Sequence, residues 1–147
     1  MINLKVKDAM SSNIKTVTLL SNMVAVEKMM DEFNIHHVPV VNDQNELEGI
    51  ISRNDIERLK HWATKYELPV ALDQNKDILR SMLAHDVMKK NVVTVDPDKN
   101  LGYCANIFKE NLFHCLPVIS NKQIIGMITP FDLINVAYTS HSIKQAL

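Results

Sequence analysis

An internal repeat constrains this chain more than any other feature of its sequence. Asp8-Ala9-Met10 matches Asp86-Val87-Met88, and six further matches keep the same spacing of 78 residues: Asn13 with Asn91, Thr16-Val17 with Thr94-Val95, Asn22 with Asn100, Glu32 with Glu110, His36 with His114, and Pro39-Val40 with Pro117-Val118. After a one-residue deletion in the second copy the matches continue: Gly49 with Gly126, Ile51 with Ile128, and Asp55 with Asp132. Such matches indicate two copies of one unit. Two are too few for an open solenoid, so we expect them to pack face to face.

Each copy predicts the element order β-α-β-β-α. A short β-prone run, 16–18 or 93–95, precedes a helix that Asn22 or Asn100 caps. The apolar residues of this helix have the helical period: Met23, Val26, Met29, Met30 and Phe33 in the first copy, and Leu101, Cys104, Ile107 and Phe108 in the second. Two strands then form a hairpin, and a second helix begins at Ser52 or Thr129.

The segment between the copies, residues 58–83, is more polar than the rest. Leu59, Trp62 and Tyr66 have helical spacing, and a polar run follows Pro69. We therefore expect an extended helix, a loop and a short helix that connect the copies, with Trp62 and Tyr66 covering the edge of a core. The predicted borders are 1–59 for the first repeat, 60–81 for the connector and 82–147 for the second repeat with a C-terminal helix.

Composition excludes several classes of protein. Apolar residues make up 46% of the 147 residues, enough for a buried core. Sixteen basic residues balance 17 acidic ones, which argues against nucleic acid as a partner. Cys104 and Cys115 belong to no CxxC pair and are expected to be buried, reduced thiols. The sequence has no targeting segment or membrane-length apolar run, so we expect a cytoplasmic protein without a membrane partner.

Each copy ends on Ser/Thr-x-x-Asp at a predicted strand-to-helix junction: Ser52 with Asp55, and Thr129 with Asp132. An ionised carboxylate can accept hydrogen bonds from both hydroxyls of a ribose, and a helix N-terminus attracts phosphate. The same spacing also makes a capping box, in which hydroxyl and acid satisfy the N–H groups of the helix end. Both interpretations stay open, and an acid bonded to its own helix end has less to offer a ribose.

Taken together, the opening Asp-x-Met, the Thr-Val pair, His-x-x-Pro-Val and the closing Gly-h-h-Ser/Thr-x-x-Asp-h (h is apolar) resemble the cystathionine-β-synthase (CBS) domain pair, or Bateman module. The resemblance covers roughly residues 4–59 and 82–137. It implies an α+β fold of tandem β-α-β-β-α repeats, packed as a pseudo-two-fold module. It also implies a homodimer without catalytic activity that regulates an unidentified effector protein.

The resemblance further implies clefts between the two repeats that bind AMP, ADP, ATP or S-adenosylmethionine, with no cofactor required. One cleft would use Thr16, Val17, Val38, Pro39, Ser52, Arg53 and Asp55. The other would use Thr94, Val95, Leu116, Pro117, Thr129 and Asp132. The closing aspartate would bind the ribose, and the strand and Thr-Val residues would enclose the adenine.

Arg53 distinguishes the two clefts at the sequence level. Its guanidinium is able to bind a phosphate through two hydrogen bonds, or it is simply a surface arginine, whereas Pro130 at the matching position cannot bind phosphate. We therefore expect the first cleft to be the better phosphate site. His37 and Cys115 stand where some family members have an arginine, which argues against a multiply charged ligand such as ATP.

Other chemistries have less support. His36, His37, His114 and Cys115 are residue types that suit zinc, but adjacent strand residues point to opposite faces. We expect no metal; His36 and His114 would instead add pH-dependent charge near a phosphate. Three glycines form no phosphate loop, so no enzyme is predicted. The alternative function is a dimerisation or interaction scaffold with vestigial clefts. A dimer is also expected because Met23, Met29 and Met30 suggest more apolar surface than one small core needs.

Overall fold

The computed structural model describes residues 3–65, 74–111 and 113–145. Its elements in chain order are α1 (Val6–Ala9), β1 (Val17–Thr18), α2 (Met23–Glu32), β2 (His37–Val41), β3 (Leu47–Ser52), α3 (Arg53–Lys65), α4 (Gln74–Ser81), α5 (Ala84–Val87), α6 (Leu101–Asn111), β4 (Leu116–Ser120), β5 (Gln123–Ile128) and α7 (Pro130–Gln145). Helices and strands thus mix as expected for an α+β protein, and the predicted α-β-β-α order occurs in both copies. A short helix that was not predicted, α1 or α5, lies at the start of each copy. In the described part of the chain, no helix is long and apolar enough to cross a membrane.

The chain divides into two compact units that do not follow the order of the sequence. One unit is Lys15–Val92, and the other combines Met1–Ile14 with Val93–Leu147. The units group residues by spatial contact rather than by similarity, so the repeat borders at 59 and 82 stay a prediction. Each unit nevertheless contains the α-β-β-α part of one copy together with the opening segment of the other.

The unit Lys15–Val92 is built on a three-stranded sheet in the order β1-β2-β3. Strand β2 pairs in parallel with β1 and antiparallel with β3. Helix α2 begins after Asn22, whose side chain accepts a hydrogen bond from the Val24 amide at 2.9 Å, as the sequence predicted. Val26 and Met30 from α2 are fully buried with the sheet residues of the core. Apolar periodicity in the sequence therefore identified this core, except that Phe33, the last residue of the predicted stripe, is 46% exposed.

The methionines of α2 do not provide spare apolar surface. Met23 and Met30 are fully buried in the core of their own unit, and Met29 packs against it. The unbranched thioether side chain fills irregular gaps well, which accounts for its use here. These three residues therefore do not support a dimer, although the dimer itself stays a prediction.

The predicted connector contains two helices, as expected, but one of them belongs to the core. Helix α3 ends at Lys65 and α4 covers Gln74–Ser81. Leu79 of α4 is almost fully buried in the same cluster as the residues of α2 and the sheet. Tyr66, the predicted loop around Pro69 and the side chain of Trp62 lie outside the described residues. Helix α4 is thus a structural part of its unit as well as a link.

The second unit repeats this architecture with a shorter sheet. Strands β4 and β5 form an antiparallel hairpin. Asn100 caps α6 by accepting a hydrogen bond from the Gly102 amide at 2.7 Å. The run 93–95 forms no strand: Val95 makes a single parallel bridge to Val118. The strand predicted here is therefore reduced to one paired residue.

Each opening Asp-x-Met segment packs on the hairpin of the other copy. Asp8 caps the short helix α1 by accepting a hydrogen bond from the Lys5 amide at 2.9 Å, and Asp86 caps α5 in the same way with the Leu83 amide, also at 2.9 Å. The methionines that follow then cover a glycine: a Cβ on Gly49 would lie 2.6 Å from Met88 Sδ, and one on Gly126 would lie 2.7 Å from Met10 Sδ. Glycine is required because the covering segment approaches so closely. This exchange was not expected from the sequence.

Candidate functional site

Ser52 and Asp55 form a reciprocal set of hydrogen bonds where β3 runs into α3. Oδ2 of Asp55 accepts from the backbone nitrogen of Ser52 at 2.8 Å and from its hydroxyl at 2.7 Å. The Asp55 amide donates to the Ser52 hydroxyl at 3.2 Å. This is the geometry of a capping box, so the capping interpretation of the motif is correct.

Thr129 and Asp132 have the same arrangement at the start of α7. Oδ2 of Asp132 accepts from the backbone nitrogen and the hydroxyl of Thr129, both at 2.8 Å. The Asp132 amide lies 3.4 Å from the Thr129 hydroxyl. In both units one carboxylate oxygen holds the helix end, which leaves the other oxygen, Oδ1, for a different partner.

Lys89 provides that partner for Asp55. Its Nζ lies 3.2 Å from Oδ1 of Asp55, a carboxylate that is almost completely buried. Burial alone would raise the pKa of Asp55, but the hydrogen bonds from Ser52 and the charge of Lys89 outweigh it and hold the pKa below its ordinary value. Asp55 is therefore an ionised, buried acid at neutral pH. Sequence analysis missed Lys89, although it directly follows the second Asp-x-Met motif.

The strand residues of the first predicted set lie side by side on β1, β2 and β3. Val17 pairs with Val40 of β2, while Val38 and Pro39 pair with Ile51 and Ile50 of β3. The side chains of Val17 and Val38 belong to the hydrophobic core, so these two residues offer a ligand only their backbone groups. Pro39 is buried outside that cluster, and Thr16 is half-buried.

The second predicted set has the same layout. Val95 donates its amide to the Pro117 carbonyl at 3.0 Å, and Leu116 pairs with Ile128 at the end of β5. The side chains of Val95 and Leu116 lie in the core, whereas Pro117 is buried outside that cluster and Thr94 is exposed. Thr129 directly follows β5. Each predicted set therefore lies within a single unit of the structure.

Arg53 is not a free phosphate ligand. Its Nη1 donates to Oδ1 of Asp31 at 2.7 Å, and Nη2 lies 3.4 Å from the carbonyl oxygen of Ile35. Its backbone amide donates to the His36 carbonyl at 2.9 Å. The arginine thus ties the start of α3 to the end of α2, and a phosphate would have to compete with Asp31. The asymmetry expected from Arg53 and Pro130 stays a prediction.

The histidines and cysteines do not converge on a metal. Among the described residues, no group of three or more histidine, cysteine, aspartate or glutamate side chains is able to hold one. His36 and His114 are exposed. Burial and, to a lesser extent, the charge of Asp132 raise the pKa of Cys115 to about 12, so its thiol is neutral at physiological pH.

The fold and the paired capping motifs define a tandem pair of one α+β repeat, and the family follows from the sequence match. The CBS domain profile matches residues 6–61 and 84–138. The chain therefore belongs to the CBS domain family.

Two curated relatives illustrate where such pairs occur. A CBS domain-containing protein of Dictyostelium discoideum is 32% identical over 135 residues, which is 89% of each chain. A homoserine O-acetyltransferase of Methanosalsum zhilinae is 31% identical over 140 residues, covering 95% of this chain but only 25% of the enzyme. This chain thus spans nearly all of the first relative and about a quarter of the second.

Solved structures share the fold along nearly the full chain. A putative acetoin utilization protein from Vibrio cholerae superimposes with a TM-score of 0.80 at 22% identity, covering 99% of this chain and 98% of that one. CBSX2, solved in complex with AMP, gives 0.76 at 23% identity, covering 92% and 97%. The CBS domain pair of MJ0100, solved with 5′-methylthioadenosine and S-adenosyl-L-methionine, gives 0.73 at 24% identity, covering 93% and 98%.

Proposed function

We propose that this chain is a regulatory module that binds an adenosine-containing ligand, namely AMP, ADP, ATP or S-adenosylmethionine, and has no catalytic activity of its own. The observation that carries the proposal is the equal geometry of Ser52–Asp55 and Thr129–Asp132 at two strand-to-helix junctions. The adenosyl ligands bound by CBSX2 and by the pair of MJ0100 support it.

The capping role and the ribose role are compatible because a carboxylate has two oxygens. Oδ2 of each aspartate holds the helix end. Among the described residues, none donates a hydrogen bond to Oδ1 of Asp132, whereas Oδ1 of Asp55 is shared with the exposed side chain of Lys89. A ribose hydroxyl can therefore donate to Oδ1 while the helix stays capped.

The neighbouring strand residues complete each proposed site. The backbone of Val17 and Val38 with Thr16 and Pro39 would enclose the adenine beside Asp55. Val95 and Leu116, with Thr94 and Pro117, would do the same beside Asp132. These roles follow from the resemblance to the family, and they are supported by the neighbouring strand positions within each unit.

Titration calorimetry with AMP and adenosine tests the proposal on Asp55→Asn and Asp132→Asn. Asparagine keeps an oxygen that accepts the capping hydrogen bonds but removes the charge from the ribose contact. Because hydrogen bonds to charged groups contribute about 1.5–3 kcal/mol, we expect each variant to lose about tenfold or more in affinity at its own site. Thermal unfolding should change little in Asp132→Asn and occur at a slightly lower temperature in Asp55→Asn, which also loses the ion pair with Lys89.

Asp98→Asn is the matched control. Asp98 is an exposed carboxylate that pairs with Lys5 and Lys7 and belongs to neither proposed site. The Asp98→Asn variant should bind AMP and adenosine as the wild type does. If both site variants also bind like the wild type, the motif is only a helix cap and the proposal is overturned.

The absence of catalysis has its own test. AMP, ATP and S-adenosylmethionine incubated with the protein, with and without magnesium, should be recovered unchanged. Repeated product formation that follows the protein through purification would contradict a purely regulatory role. We also propose a cytoplasmic location, since both cysteines are free thiols, as is typical of a reducing compartment.

A homodimer is the second part of the proposal. Phe131, Ile134 and Tyr138 follow helical spacing on α7 and are 66%, 63% and 76% exposed, which is an unusual concentration of apolar surface. A second copy of the chain would cover this stripe. Light scattering at tens of micromolar should give the dimer mass for the wild type. Ile134→Glu should lower the measured mass, whereas Leu20→Glu in the other unit should leave it unchanged. A monomeric wild type would contradict the dimer.

The same stripe favours the alternative function, an interaction scaffold with vestigial ligand sites. The scaffold predicts a dimer that binds neither AMP nor adenosine, with both aspartates acting only as caps. Calorimetry and light scattering on the same preparation therefore separate the two functions.

A further inference from the structure

Lys89 and Ser11 occupy equivalent backbone positions in the two units. Lys89 exchanges two hydrogen bonds with Ile50 of β3, at 3.0 and 2.9 Å. Ser11 exchanges two with Met127 of β5, at 2.9 and 3.0 Å. Each residue directly follows the methionine that covers the glycine of the hairpin. The backbone therefore presents the same position beside both capping motifs, and only the side chains differ.

This difference changes the charge beside the two aspartates. Lys89 places its ammonium 3.2 Å from Oδ1 of Asp55, with a lysine side chain that is 60% exposed and an aspartate side chain that is 10% exposed. Serine has no charge to offer Asp132. Because Arg53 is already paired with Asp31, it adds no free charge to the first site. The Asp55 group is thus neutral overall, whereas the Asp132 motif keeps its negative charge.

We propose that Lys89 is a specificity-determining residue: the Asp55 site selects an adenosine ligand with an anionic 5′ substituent, and the Asp132 site selects an uncharged or cationic adenosyl ligand. The proposal rests on the proposed function, since it assigns ligand classes to the same two sites. It replaces Arg53 with a residue that the sequence places in the other repeat.

The chemistry follows from the donors of the ammonium group. A lysine has three N–H groups, and one is sufficient for Oδ1 of Asp55. Because the lysine side chain is exposed, the other N–H groups are available to a phosphate oxygen. A ribose hydroxyl can contact the carboxylate at the same time. At Asp132 the same phosphate would meet a negative charge, and within the described part of the chain no lysine or arginine forms an ion pair with that carboxylate. A sulfonium or a neutral thioether carries no such penalty.

The test exchanges the two side chains. Lys89→Ser is measured in an Asp132→Asn background and Ser11→Lys in an Asp55→Asn background, so that the other site of each protein is weakened and the tighter binding reports the site under test. Calorimetry with AMP and adenosine gives the ratio of the two affinities. An exposed charge contact contributes up to about 1 kcal/mol, so we expect Lys89→Ser to lower the AMP preference about fivefold. Ser11→Lys should raise the preference of its site for AMP over adenosine, and Lys89→Arg should retain the AMP preference of the wild type.

Ionic strength provides a second readout. The AMP preference of the Asp55 site should weaken as salt is added, because screening acts on an exposed ion pair. Adenosine affinity should not depend on salt at either site. Circular dichroism checks that the exchanged variants keep their fold, which is expected for exposed side chains.

The outcomes separate this inference from the proposed function. If the wild type binds neither AMP nor adenosine, the proposed function fails and this inference fails with it. If the wild type binds both but Lys89→Ser leaves the ratio of affinities unchanged, or if both sites show the same ratio, only the role of Lys89 is overturned.

Discussion

Lys89 and Asp55 form an ion pair of 3.2 Å, although they belong to different copies of the internal repeat. The pair exists because the opening segment of the second copy packs on the hairpin of the first. Within the other unit, the opening segment of the first copy covers Gly126 of the second. Each proposed ligand site therefore borders on a residue from the opposite repeat.

The Asp55 carboxylate should make stability depend on acid pH. Its pKa in the folded protein lies below the ordinary value of 3.8, so its ionised form stabilises the fold above that value. The contribution is lost as the pH falls through the folded pKa. The free energy of unfolding in urea should fall less between pH 7 and pH 3 in Lys89→Ser than in the wild type. The difference should be less than about 1 kcal/mol because the lysine is exposed.

Asp98 supplies the control for this acid dependence. Hydrogen bonds from Lys7 and Lys5 lower its pKa to about 2, at an exposed position remote from the Asp55 motif in sequence. Its contribution to the pH profile should persist in Lys89→Ser. An identical acid profile in wild type and Lys89→Ser would show that the ion pair does not stabilise the fold.

Alanine at Gly49 or Gly126 should destabilise the protein by about 1–3 kcal/mol, the usual cost of overpacking. A Cβ on Gly49 would approach the Lys89 carbonyl to 2.8 Å, and one on Gly126 would approach the Ser11 carbonyl to 2.9 Å. Because these neighbours are backbone atoms, shortening Met88 or Met10 should rescue stability only in part. Gly102→Ala, whose Cβ would meet only Asn100 Oδ1 at 3.0 Å, should be much milder in chemical denaturation.

Val6→Ala should loosen the hairpin of the second copy, although Val6 lies in the first. Val6 is fully buried with Leu116, Val118 and Ile128. Truncating a fully buried valine leaves a cavity, and we expect a loss of about 1–3 kcal/mol. Hydrogen exchange should accelerate in β4 and β5 more than in β2 and β3.

Leu20→Ala is the control for this exchange experiment, because Leu20 is 72% exposed and its loss leaves no cavity. Faster exchange in β2 and β3 instead of β4 and β5 after Val6→Ala would contradict the exchanged packing of the opening segments.

Both cysteines should be unreactive in the native protein. Burial raises the pKa of Cys104 to about 11, and burial with the charge of Asp132 raises that of Cys115 to about 12. Since the thiolate is the reactive form, an aromatic disulfide reagent at pH 8 should label neither thiol until denaturant is added, and then both. Rapid labelling of one thiol in the native state would refute this.

Much of the local structure was predictable because it depends on residues only a few positions apart. Asn22 and Asn100 cap their helices, the apolar stripe of α2 apart from Phe33 packs in or against the core, and Ser52 bonds to Asp55 three residues away. Capping and amphipathic periodicity act over one or two helical turns, so the sequence alone records them. The resemblance added the family and the strand positions of the candidate sites.

The sequence by itself determined the repeat, the family, the two closing motifs and the α-β-β-α order within each copy. It did not give the short helices α1 and α5, and the strand predicted at 93–95 is a single bridge. Only the tertiary structure decided that Arg53 binds Asp31 and that Lys89 reaches Asp55. These contacts join residues that are far apart in the chain. The two copies are so similar that the sequence pattern is the same in both cases, whether an opening segment packs on the hairpin of its own copy or on the hairpin of the other copy. The choice between them rests on the packing of the whole chain.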